Sequence, residues 1–111
     1  MDRIMRLLVM YDLNMTDESS RKEYTKFRNG LIRRGYIMLQ FSVYYKILNF
    51  PSLAKQEENY LKKVLPSKGN IRMILISERQ YMNSIFLRGS KRLNESINNA
   101  SKRVIIDYET N

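Results

Sequence analysis

The 111-residue chain contains no histidine and no cysteine. Any proton transfer must therefore run on carboxylates, tyrosines, metal-bound water or solvent, and a disulfide framework or thiolate metal site is excluded. Asp12 stands out by position, because it closes the apolar run Leu7-Leu8-Val9-Met10-Tyr11, where a strand would leave its sheet. With no histidine or second acid nearby it makes a sparse catalytic site, and an aspartate there can equally cap a turn. The second group is cationic: Arg21, Lys22, Lys26, Arg28 and Arg33. Such residues contact phosphates and give affinity and position without reading bases; an ordinary solvated helix face is the alternative reading. Lys62-Lys63, Lys91-Arg92 and Lys102-Arg103 are weaker candidates, some of them suited to acidic partner surfaces.

The whole chain shares this bias, with 20 Lys and Arg against 11 Asp and Glu, a formal charge of +9. Such an excess repels itself unless a polyanion relieves it, and nucleic acid is the first candidate, an anionic membrane surface the second. The run Leu7 to Tyr11 is too short for a secretory h-region, and no apolar stretch reaches the ~18 residues of a membrane span. Lack of cysteine suits a reducing cytoplasm. A chain of this length holds one domain.

The elements that position these residues follow from periodicity. Ile4 to Leu13 is apolar on both faces, Leu7, Val9 and Tyr11 on one and Leu8 and Met10 with Asp12 on the other, which predicts a strand covered on both sides. Ser20 with Glu23 fits a capping box, and Tyr24, Phe27 and Leu31 recur at helical spacing up to Gly35, so a helix is predicted from Arg21 to Arg34. Two strands follow, Ile37 to Phe41 and Val43 to Ile47. A second helix opens at Pro51-Ser52, buries Leu53, Tyr60, Leu61, Val64 and Leu65, and ends by Pro66. Ile71 to Ser77 is the fourth strand, and after a turn Ile85 to Arg88 is expected to form another. Gly89 to Ser101 reads as a polar loop and Val104 to Tyr108 as a last strand.

That order is α+β and ferredoxin-like, βαββαβ, with a C-terminal extra strand. It divides the chain into a domain over 1–88 and a loop-and-strand segment over 89–111, free to add to a partner's sheet edge. Both helices cover one sheet face, and the other, carrying Leu8 and Met10, is apolar enough to predict a second copy packed sheet to sheet.

Three stretches together resemble one family: Leu7-Leu8-Val9-Met10-Tyr11-Asp12-Leu13, Arg21-Lys22-Glu23-Tyr24-Thr25-Lys26-Phe27-Arg28, and Gly35-Tyr36-Ile37-Met38-Leu39-Gln40-Phe41-Ser42-Val43-Tyr44. They are similar to the small CRISPR-associated family called Cas-two, particularly its form beside single-effector, Cas-nine-type systems. The resemblance implies a homodimer that bridges two dimers of the CRISPR integrase and supports duplex DNA during spacer acquisition. Some family members are described as metal-dependent nucleases on RNA or DNA. By direct match Asp12 then lies near its symmetry mate with magnesium between them, as catalytic residue and metal ligand, with Ser42 and Tyr11 close by. Two carboxylates so placed repel unless one is protonated or a cation lies between them. A magnesium-dependent endoribonuclease or DNase acting on its own, toxin-like, is the alternative function. The segment Arg34 to Phe41 also partly matches the RNA-recognition signature, but Ile37 and Met38 stand where a small residue and a stacking Phe are required.

Overall fold

A computed structural model describes residues 4–12 and 16–90. The extra strand expected over 104–108, the preceding loop beyond Ser90, and the pairs Lys91-Arg92 and Lys102-Arg103 lie outside the described residues. Four strands, β1 (Met5–Asp12), β2 (Ile37–Gln40), β3 (Val43–Leu48) and β4 (Asn70–Ser77), form one sheet in the order β2-β3-β1-β4, every neighbouring pair antiparallel. Between them run α1 (Glu18–Arg33) and α2 (Ala54–Lys63), the latter entered through a 3-10 turn at Pro51–Leu53. This is the expected ferredoxin-like α+β arrangement.

Alternation along β1 decides which face is core. Leu7, Val9 and Tyr11 are buried beneath the helices together with Phe27, Leu31, Tyr36, Tyr44, Leu48 and Leu61. Tyr11 is a hub of this core, edge-on to Tyr24 and Phe27 at 5.6 and 5.3 Å and stacked on Tyr44 at 6.1 Å. Its burial pushes the phenol pKa far above its ordinary value.

α1 begins three residues before the expected start. Asp17, not Ser20, is the N-cap: its Oδ1 accepts the Ser20 N–H at 2.7 Å, which satisfies an orphan donor and places a carboxylate at the positive end of the dipole. Glu23, freed from any capping box, instead holds Ser67 through a hydroxyl bond of 2.8 Å, tying the α2–β4 loop to α1. At the other end Gly35 takes φ +97°, and the N–H groups of Gly35 and Tyr36 return to Ile32 and Leu31, closing the helix as a Schellman motif that a β-carbon would strain. Leu65 departs from the predicted buried stripe. α2 stops at Lys63, and Leu65 is left exposed.

A second cluster locks the end of α1 to the sheet. Glu57, buried on α2, accepts from Tyr36 Oη at 2.9 Å, Lys46 Nζ at 3.0 Å and Arg34 Nε at 3.3 Å. Burial pushes the Glu57 carboxyl up, but the bonds from Arg34, Lys46 and Tyr36 outweigh it and hold it below the usual carboxylate range.

The expected strand at Ile85 to Arg88 is not formed. Ser77 and Gln80 make a reciprocal capping box, so the chain leaves the sheet in a short helix, α3 (Glu78–Met82), and residues 83–90 follow without regular structure. α3 lies over part of the sheet's second face and buries Arg6, Tyr45 and Tyr81 there. The rest of that face, which includes Leu8, Met10 and Ile74, is incompletely covered, Ile74 remaining 40% exposed.

Candidate functional site

Asp12 is the last residue of β1, paired with Asn70 of β4, on the same face as Leu8 and Met10. Its side chain is exposed. The β2–β3 turn reaches the same end of the sheet, where Tyr11 N–H donates to Ser42 O at 3.0 Å. Ser42 adopts φ +66° to make that turn, and its neighbour Phe41 stands 81% exposed. A large aromatic that solvent reaches beside an exposed carboxylate was not singled out in the sequence, where Phe41 read as the end of a strand. In the structure β2 ends at Gln40 and β3 begins at Val43, which puts Phe41 on the turn.

Among the described residues no group of three or more carboxylate, imidazole or thiolate side chains converges on a point. Asp12 is an exposed carboxylate outside any such group. It lies on the sheet face that the helices leave open.

The cationic candidates divide. Arg21, Lys22, Lys26 and Arg33 line one shallow groove along α1 with Glu18, Thr25 and Asn29. Residues three and four apart share a helix face, and from Lys22 to Arg33 that stripe runs about 16 Å at ~1.5 Å per residue. Arg28 is not part of it. It lies half-buried next to Phe27, on the flank that packs toward the core. Within the stripe, Lys22 pairs with Glu18 at 3.4 Å and Arg21 Nη1 donates to Thr16 O at 3.4 Å. Both contacts are exposed, and exposed pairs of this kind are weak enough for a phosphate to displace. On α2, Lys62 pairs with Glu58 at 2.8 Å.

The family described as CRISPR associated protein Cas2 matches residues 5–84. The chain belongs to this family. A Campylobacter jejuni protein named CRISPR-associated endoribonuclease Cas2 is 39% identical over 109 residues, covering 98% of this chain and 76% of the relative. A Ligilactobacillus salivarius protein of the same name is 38% identical and covered over its full length, against 92% of this chain. A solved structure titled "Crystal structure of cas2" aligns at TM-score 0.49 and 16% identity, over 80% of this chain and 91% of the other. The Cas2 match takes in β1 through α3 and with them Asp12 and the whole α1 stripe. No helix among the described residues is long and apolar enough to cross a membrane.

Proposed function

We propose that the chain is a CRISPR adaptation protein: a homodimeric scaffold that holds duplex DNA by its backbone and joins integrase dimers during acquisition of new spacers. The observation that carries the DNA-binding part is the α1 groove, where Arg21, Lys22, Lys26 and Arg33 converge on one face. Such a stripe contacts phosphates of any sequence, which suits a protein that must accept every spacer. The second copy packs on the sheet face bearing Leu8, Met10 and Ile74, so that apolar surface left open by the helices is buried. Family membership supports the adaptation role and the integrase as partner.

A second reading is a metal-dependent nuclease on RNA or DNA, acting on its own or beside the scaffold role. It is favoured by the exposure of Asp12 and by the endoribonuclease name that the relatives carry. In it Asp12 of each copy holds a shared magnesium ion. When bound, such an ion lowers the pKa of water and stabilises charge on a phosphodiester. Phe41, exposed on the adjoining turn, offers a face on which a base can stack.

One set of samples separates the readings: wild type and Asp12→Ala, each with labelled RNA and duplex DNA, in magnesium or EDTA. Cleavage that needs magnesium and disappears in the variant assigns Asp12 to the nuclease. Equal DNA binding by both proteins with no cleavage leaves the scaffold alone. Loss of DNA binding in Asp12→Ala would contradict the assignment of binding to α1.

A further inference from the structure

Arg6 belongs to β1 and points to the face opposite the main core, yet it is only 3% exposed. Its guanidinium lies 3.8 Å from the Tyr81 ring centre and 4.7 Å from that of Tyr45. Glu78 meets its edge in a two-pronged pair, Nε to Oε1 at 2.7 Å and Nη2 to Oε2 at 3.0 Å. The Glu78 backbone N–H is anchored to Ile4 O at 3.1 Å. Tyr81 and Glu78 both belong to α3, so one side chain from the middle of the sheet grips that helix from two sides.

α3 has five residues, far below the length at which a helix is stable by itself. The segment behind it turns its apolar side chains outward, with Ile85 82% and Leu87 96% exposed. Residues 84–90 nevertheless run along one cleft with Leu8, Leu39 and Ile76 of the second face. Among the described residues Arg6 Nη1 is buried without a hydrogen-bond partner, which raises the free energy of the docked state.

We propose that Arg6 is a latch. Docked, α3 and residues 83–90 cover Tyr45 and part of the Leu8–Leu39–Ile76 strip; undocked, they release it while the sheet and both long helices stay folded. The helix swings about Ser77, where β4 ends. Undocking enlarges the apolar face offered to a second copy, a consequence that rests on the dimer reading above.

Native-state hydrogen exchange on dilute full-length protein in low urea tests the latch without any variant. Amides of 78–83 should exchange through an opening insensitive to urea, at least tenfold faster than those of β1 and β3. If they exchange only with global unfolding, there is no latch. Glu78→Gln and Arg6→Lys should speed 78–83 a further tenfold or more, leave β1 and β3 within twofold, and raise emission of an apolar dye. Unchanged exchange in both variants, or equal loss of protection throughout the sheet, would overturn the proposal. Sedimentation of the same samples separates the two ideas. A wild type that stays monomeric removes the dimer reading and leaves the latch standing. A dimer whose affinity changes less than twofold in both variants, with 78–83 loosened, removes the link between latch and assembly.

Discussion

Replacing Lys22, Lys26 and Arg33 together by Ala removes three of the four cations that line the α1 groove and touches no core residue. Each phosphate neutralised contributes about 0.9 to the slope of log affinity against log salt, so three contribute about 2.7. Extrapolated to ~0.15 M salt, their loss weakens binding to duplex DNA roughly 150-fold. Arg28→Ala serves as the single-charge control, since it removes one cation of the same helix from outside the groove. Fluorescence anisotropy with a labelled duplex, titrated at several salt concentrations, gives slope and affinity from one data set. The triple variant should show the shallower slope, and Arg28→Ala should follow wild type. An unchanged slope in the triple variant, or an equal fall from Arg28→Ala alone, would refute the groove as the phosphate track.

Two further outcomes concern the scaffold beneath that groove. Glu57→Gln should cost about 2 kcal/mol at neutral pH, the scale of hydrogen bonds made to a buried charge. Because the folded-state pKa of Glu57 lies below its usual value, the wild-type advantage is complete above about pH 4.3 and fades as pH falls through the folded value. Urea unfolding at neutral and acidic pH checks this, and a difference that did not shrink in acid would contradict it. Gly35→Ala should lower stability by about 1–2 kcal/mol, the penalty of a β-carbon in the left-handed region. The added carbon would meet only Lys46 Cε, at 3.7 Å, so the cost measured by thermal unfolding should come from the backbone alone.

Where a residue's environment follows from its own periodicity, the sequence was sufficient. Leu7, Val9 and Tyr11 against Leu8, Met10 and Asp12 gave the two faces of β1, and Gly35 closed α1 where expected. The start of α1 lies earlier than expected because Asp17 and Ser20 are both competent caps, and it is Asp17 whose side chain accepts a helix N–H. α3 was missed because a Ser-x-x-Gln box followed by one turn of helix carries no period to detect. Glu57 and Arg6 were invisible for a different reason. A charged residue in a helix or strand reads as solvated, and its burial depends on partners 11 to 72 residues away. In the candidate site, the position of Asp12 was legible. The sorting of Arg28 from the other α1 cations was not, because it needs the helix's rotation about its own axis.

The two margins of the sheet differ in their capacity to template further pairing. β2 is four residues long and has a register shift between Met38 and Gln40, two features that discourage a flat neighbour. β4 runs eight residues in unbroken register with β1, and among the described residues its far side has no strand beside it. Among the described residues, β4 is therefore the margin suited to further pairing, while the β2 margin is blunt. Arg72, exposed between Ile71 and Met73, acts as a gatekeeper there, because like charges oppose stacking of identical copies. An acidic or neutral strand would escape that repulsion.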